Sequence, residues 1–259
     1  MSAIVNEISP IIRKTRDILL PFYGKAEEAA RKGENAHSVV TELDMKVEDF
    51  LSSRLYEFDP SIGFVGEEMG GERSGKRFWP CDPIDGTLHY LRGIPNCTVM
   101  LALIDEHQVV FGAIYDFLQD VLYHAEKDEG AYANGARIHI STRRATDAYF
   151  FCETQRRKPK NAEKYWQLDE RFQIMNTISA GWEYVQVATG KLEARVNLDP
   201  YGKDYDYAAG ALLVKEAGGV VANLGKRTYD YRNCDLIVAS PNVFAALTEG
   251  PDAIFPISE

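Results

Sequence analysis

Pro80-Cys81-Asp82-Pro83-Ile84-Asp85-Gly86-Thr87 is the stretch around which this 259-residue chain organises itself. Its two carboxylates, Asp82 and Asp85, flank a proline that fixes φ and removes a backbone donor. Gly86 tolerates backbone conformations that other residues avoid, and Thr87 adds a hydroxyl. Hard oxygen ligands on a stiff turn suit Mg²⁺. A glycine and a hydroxyl beside them suit a phosphate whose oxygens seek N–H groups. The combination points to metal-assisted phosphoryl chemistry, and Pro-Ile between two aspartates has no evident packing purpose.

Composition narrows the partners. With 45% hydrophobic and 26% charged residues the chain reads as an ordinary globular enzyme, long enough for one large α/β domain or two packed halves. A formal charge of −10 repels nucleic acid, and it would also repel a phosphate ester unless bound cations reverse the local potential. Cys81, Cys97, Cys152 and Cys234 lack any Cys-x-x-Cys spacing, which argues against zinc and disulfides and for reduced thiols in the cytoplasm. No apolar run approaches the ~20 residues that span a bilayer, so no membrane partner is expected. The N-terminus lacks the pattern of a signal or transit peptide.

Outward from the opening stretch, helical periodicity runs over residues 3–31, with Pro10 and Pro21 able to bend or divide it. A second helix is predicted over 41–58 and ends before Pro60. Strands are predicted at 62–65 and 77–82, and antiparallel strands from Cys97 to Tyr123. A hairpin at Gly130 to Gly135 precedes Arg137 to Ser141. The charged run Arg143 to Asp147 marks a boundary between an N-terminal α+β half, 1–142, and a C-terminal α/β half, 143–259. In the second half, strands at 148–153 and 171–175 alternate with helices at 159–168 and 179–190. A helix at 206–217 ends at Gly218-Gly219, and strands at 219–223 and 235–239 precede a helix at 241–248. The fold class is layered α/β or α+β.

Four acidic clusters occur in order: Thr41-Glu42-Leu43-Asp44, Gly66-Glu67-Glu68, Asp82-Pro83-Ile84-Asp85 and Asp204-Tyr205-Asp206. Singly, most have a structural reading. Thr41 with Asp44 suits a helix N-terminus, Glu67 and Glu68 suit a solvated loop, and Asp204 and Asp206 suit helix capping. Nearby decoys fail. Gly70-x-x-x-x-Gly75-Lys76 has Arg77 where a phosphate loop needs Ser or Thr, and no Gly-x-Ser-x-Gly elbow occurs. Arg143-Arg144 and Arg156-Arg157-Lys158 read as surface, though the second run could approach an anionic substrate.

Taken together, Thr41-x-x-Asp44, Gly66-Glu67-Glu68, Asp82 to Thr87, and Asp206-x-Ala-Ala-Gly210 with Glu216-Ala-Gly-Gly219 closely resemble the inositol monophosphatase family over nearly the whole chain. The resemblance implies an αβαβα sandwich, shared with fructose-1,6-bisphosphatase, and a Mg²⁺-dependent phosphatase with two or three ions per site. It implies that Glu67, Asp82 and the Ile84 carbonyl hold one Mg²⁺, and that Asp82, Asp85 and Asp206 hold a second. A third, weaker ion would sit near Glu67. Asp44 and Thr87 would orient and deprotonate the attacking water, and Gly86 and Thr87 would offer N–H groups to phosphate. Li⁺ inhibition and a homodimer are further implications of the resemblance alone.

Departures from the family pattern bear on the substrate. Asp-Gly-Thr is followed by Leu88-His89-Tyr90 where x-Asn-Phe is common, and Tyr205 replaces a common Trp. The Gly-Ser/Thr-Ala element is reduced to Ile178-Ser179-Ala180, with Ser179 and Ala180 as substrate-facing candidates. Counting back from Asp206, Asp199 falls where family members carry an acid that contacts substrate hydroxyls, although it also suits a turn before Pro200; the stretch 191–205 reads as containing an insertion. The expected activity is hydrolysis of inositol monophosphate. The alternatives are fructose 1,6-bisphosphate, histidinol phosphate, 3′-phosphoadenosine 5′-phosphate, or a non-catalytic scaffold.

Overall fold

Alternation in the apolar stretch after the Asp-Pro-Ile-Asp turn builds the centre of the molecule. β5 (Thr98–Asp105), β6 (Gln108–Asp116) and β7 (Val121–Glu126) form an antiparallel meander. Val99, Leu101 and Leu103 enter one core, whereas Met100, Ala102 and Ile104 enter another, as a period of two residues requires. This sheet is completed by β3 (Gly63–Gly66), β4 (Arg77–Asp85), β8 (Gly130–Ala133) and β9 (Ala136–Arg137), in the order β3-β4-β5-β6-β7-β8-β9. The computed structural model describes residues 3–25, 28–31, 39–73, 75–155 and 159–258, with backbone alone at 28–31, 39–41 and 159–160.

Helices cover both faces. α1 (Ala3–Leu19) and α2 (Glu42–Phe58) close the first core with Ile8, Ile12, Val47 and Leu51. A short helix, α3 (Thr87–Arg92), follows β4 directly. α5 (Ala180–Ala188) and α6 (Asp204–Glu216) close the second core, and α6 is buried along most of its length from Tyr207 to Val214. A helix that is apolar all round needs packing on every side. The second sheet supplies the remaining side. It comprises β10 (Tyr149–Glu153), β11 (Gln173–Met175), β12 (Ala194–Asn197), β13 (Val220–Asn223) and β14 (Leu236–Ala239), in the order β11-β10-β12-β14-β13. Leu236 and Val238 face the α5 and α6 layer, while Ile237 and Ala239 face a third core closed by α4 (Pro159–Arg171) and α7 (Pro241–Thr248). The layers run helix, sheet, helix, sheet, helix. This is the expected αβαβα sandwich.

Local departures have local causes. The first helix ends at Leu19 rather than continuing to residue 31, because Pro21 lies in a 3-10 turn at Leu20–Phe22. The backbone beyond forms β1 (Glu28–Arg31), paired with β2 (Val39–Thr41). β4 continues past Asp82 to Asp85, and beyond the hairpin only Ala136–Arg137 remains a strand. β12 occupies part of the stretch read as an insertion; its Ala-Arg-Val-Asn sequence lacks an apolar run, yet all four residues are buried. The Thr41 side chain and the run Arg156-Arg157-Lys158 lie outside the described residues. All four cysteines are free thiols. Among the described residues no helix is long and apolar enough to cross a membrane.

Candidate active site

In a regular strand, residues three apart point to opposite faces, which would separate Asp82 from Asp85. β4 avoids this. Asp82 pairs with Met100 and Asp85 with Thr98, so the bulge at Pro83-Ile84 sets one extra residue against β5. Proline has no N–H to give to the ladder, and a bulge accommodates it. Cys81 and Ile84 consequently both enter the core under α1 and α2, and the two aspartates meet on the α5 and α6 side. The spacing of the opening motif is thus a device for bringing two carboxylates together.

Asp85 is held by the start of α5. Its carboxylate accepts hydrogen bonds from Ser179 Oγ at 2.6 Å, Ala180 N at 2.7 Å, Gly181 N at 2.9 Å and Thr98 Oγ1 at 3.1 Å. A Cβ at residue 181 would lie 2.3 Å from Thr98 Oγ1, so only glycine brings that N–H so near. Gly86, at φ +79°, makes the left-handed step from β4 into α3, and a Cβ there would meet Asn96 O at 2.7 Å. Asp206, in the first turn of α6, accepts the Lys203 N–H at 2.6 Å, and Asp82 accepts the Ile84 N–H at 3.1 Å. One carboxylate oxygen from each of Asp82, Asp85 and Asp206 lies within 4.8 Å of the others.

Such proximity is unfavourable for three anions. Burial, then the charges of Glu67, Asp206, Asp85 and Asp44, push the Asp82 carboxyl well above the usual carboxylate range. Burial and Glu67 do the same at Asp206. Burial also raises Asp85, opposed by the hydrogen bonds from Ser179, Ala180, Gly181 and Thr98. Hard, buried oxygens that repel one another fit a divalent cation such as Mg²⁺.

The cluster lines a cavity of about 410 Å³. Glu67, Ile84, Gly86, Thr87, Ser179 and Ala180 line it too, joining most of the residues singled out in the sequence. Thr87 Oγ1 donates to the Ile84 carbonyl at 3.0 Å. Asp44 is buried on α2 behind the cavity wall, close enough for its charge to act on Asp82. Asp199 does not reach the cavity. It is buried just past the end of β12, and beyond Pro200 it is Tyr201 and Gly202 that line the wall. Of Leu88-His89-Tyr90 only Leu88 faces the cavity. Tyr90 is core, its hydroxyl donating to Leu19 O at 2.7 Å, and His89 Nδ1 lies 2.8 Å from Asn96 O.

Sequence reading missed three supports. Glu48, fully buried one turn beyond Asp44, accepts the N–H groups of Glu68 at 2.7 Å and Met69 at 2.8 Å and so fixes the Gly-Glu-Glu loop. Its position on the buried face of α2, beside Val47 and Leu51, was a usable signal. Arg73 makes a two-pronged pair with Asp204 at 2.9 and 2.8 Å, tying the loop after Glu67 to the helix that carries Asp206. Arg195, only 2% exposed, joins Glu183 at 2.7 Å and Glu153 at 2.6 Å on the cavity wall.

The profile of the inositol monophosphatase family matches residues 4–250. The chain belongs to the inositol monophosphatase family. It is 30% identical over 230 residues to the inositol-1-monophosphatase of Rhizobium meliloti, covering 84% of each chain. It is 29% identical over 222 residues to the fructose-1,6-bisphosphatase/inositol-1-monophosphatase of Thermococcus kodakarensis, covering 85% of this chain and 84% of that one. The crystal structure of the extragenic suppressor protein suhB of Bartonella henselae superposes with a TM-score of 0.84 at 26% identity, covering 93% of this chain and 95% of that one. Membership of the inositol monophosphatase family supports phosphatase activity, and the cluster of Asp82, Asp85 and Asp206 is able to hold a metal ion.

Proposed function

We propose that the chain is a Mg²⁺-dependent phosphate monoesterase that hydrolyses inositol monophosphate to inositol and phosphate. The convergence of Asp82, Asp85 and Asp206 on one cavity carries this reading. Glu67, Asp82 and the Ile84 carbonyl would hold one Mg²⁺, Asp82, Asp85 and Asp206 a second, and the Glu67 side a third. Bound there, Mg²⁺ would offset the phosphate's charge and make water a better nucleophile.

The chain's own groups would do the rest. The Thr87 hydroxyl donates to Ile84 O, which leaves its oxygen to accept a hydrogen from the attacking water. Asp44 would take that proton by way of Thr87, whose own hydrogen would turn from Ile84 O to Asp44 as its oxygen receives the one from water. The backbone N–H groups of Gly86 and Thr87 would face the phosphate oxygens. Ser179 and Ala180 would act through Asp85, which they hold at one orientation. Water adds to phosphorus in line, the P–O bond to the alcohol breaks, and solvent protonates the departing alkoxide.

Phosphate release from inositol 1-phosphate, fructose 1,6-bisphosphate, histidinol phosphate and 3′-phosphoadenosine 5′-phosphate, with and without Mg²⁺, tests the reading. The expected result is Mg²⁺-dependent release with inositol 1-phosphate giving the highest kcat/KM. No release from any ester would leave a scaffold role instead. Inhibition by Li⁺ and a homodimer in solution belong to the same reading and are checked in the same preparation.

A further inference from the structure

The cavity wall also includes Glu153, Thr154, Asn176, Thr177, Arg195 and Tyr201. Among the described residues that line the cavity, Arg195 is the sole cation. Three of the five N–H groups of its guanidinium are taken by neighbouring side chains. Nε donates to Glu183 at 2.7 Å, one terminal nitrogen donates to Glu153 at 2.6 Å, and the other donates to Asn197. Both faces are covered, by the Tyr184 ring at 4.8 Å and the Tyr207 ring at 5.3 Å. Arginine in a cavity would ordinarily suggest a second phosphate. Here most of its N–H groups and both its faces already serve the protein.

Among the described residues, what remains on this part of the wall is acidic. Two carboxylates share one guanidinium, and Glu153 is the more open of them, its side chain 14% exposed against 5% for Glu183. Glu153 is also rigidly set. One of its oxygens accepts the Tyr201 N–H at 2.6 Å and the Tyr207 hydroxyl at 2.8 Å, and the other accepts Arg195. That second oxygen has a lone pair left for one more donor. A carboxylate fixed in this way accepts a hydrogen bond from an alcohol's hydroxyl and repels an anion.

We infer that Glu153, held by Arg195, is the specificity-determining group at the alcohol end of the cavity, selecting phosphate esters of uncharged, hydroxyl-bearing alcohols against esters that carry a second phosphate. The inference rests on the phosphatase reading and deepens it. Arg195 is a positioning residue that touches no substrate.

A matched pair of esters tests it. Fructose 1-phosphate and fructose 1,6-bisphosphate differ only in the second phosphate, and p-nitrophenyl phosphate carries no hydroxyl. With Mg²⁺, the unaltered protein is expected to show kcat/KM for fructose 1-phosphate about tenfold or more above that for the bisphosphate. Glu153→Gln is expected to raise KM for fructose 1-phosphate about tenfold relative to p-nitrophenyl phosphate, with kcat largely retained, and to narrow the gap to the bisphosphate. A ratio near one in the unaltered protein overturns the inference, and this comparison needs no variant to fold. Equal loss on all three esters in Glu153→Gln also overturns it, since that is the signature of a structural role. If p-nitrophenyl phosphate is hydrolysed and the ratio is near one, the inference alone falls. If none of the three esters is hydrolysed, the phosphatase reading falls and takes the inference with it.

Discussion

On the cavity wall Glu153 and Glu183 share the guanidinium of Arg195, while Asp82, Asp85 and Asp206 crowd within 4.8 Å with no ion pair among the described residues. Both groups are carboxylates taken out of water, and each incurs a desolvation cost. The first is partly neutralised from within, one guanidinium standing against two carboxylates. The second is held together by backbone and hydroxyl donors at Asp85 and by the Lys203 N–H at Asp206, and its remaining repulsion calls for a cation from outside. The difference teaches where this fold keeps its chemistry. An internal ion-pair network shapes the pocket, and the unpaired acidic cluster is the one able to hold a metal.

Substitutions can break this contrast at either end. Asp85→Asn removes one carboxylate charge from the proposed Mg²⁺ site, and the loss of several kcal/mol of charge stabilisation should lower Mg²⁺-dependent kcat/KM about a thousandfold while the folded circular-dichroism spectrum is kept. Unchanged turnover in that variant would remove Asp85 from the site. Arg195→Met acts at the other end, stranding two buried carboxylates, and should destabilise the fold by about 3–5 kcal/mol in urea denaturation. A cost under about 1 kcal/mol would mean that the network is not the internal structural element described above.

Acidity sharpens the same contrast. The carboxyls of Asp82, Asp206 and Asp85 are raised in the folded chain above the ordinary value of 3.8, chiefly by burial. In metal-free protein their contribution to stability is therefore full below that ordinary value and is lost as pH rises through the raised ones. Mg²⁺ should offset the loss, so the gain in Tm on adding Mg²⁺ should grow as pH rises from the ordinary carboxylate range. A gain independent of pH would count against proton and metal sharing these groups. The smallest effect is expected from Arg73→Ala. With its side chain 41% exposed, the pair with Asp204 contributes about 1 kcal/mol or less, and its loss should weaken Mg²⁺ binding by less than about tenfold in calorimetry. Loss of binding altogether would make Arg73 part of the metal site.

Much of this was legible in the residues themselves. The alternation in Val99 to Ile104 and the periodicity of Val47, Leu51 and Leu55 fix which faces are buried, and the order of the acidic clusters points to the family. The geometry joining Asp82 to Asp85 was not legible, because a bulge is a property of the pairing with β5 rather than of β4 alone. Arg195 escaped for a similar reason. A lone arginine in Ala-Arg-Val-Asn reads as surface until Glu153 and Glu183, from separate elements, are seen beside it. Asp199 illustrates the reverse error. Counting residues back from Asp206 locates a position in the chain, but the path between β12 and α6 decides which side chain reaches the cavity.

The central claim is that the Asp82, Asp85 and Asp206 cluster binds Mg²⁺ in place of protons. Calorimetric titration of Mg²⁺ into metal-free protein at a series of pH values upward from the ordinary carboxylate range, in two buffers of different ionisation enthalpy, measures both terms at once. The account predicts saturable binding with net proton release, and loss of both in Asp82→Asn. Binding that is absent, or that persists unchanged in Asp82→Asn without proton release, would contradict it.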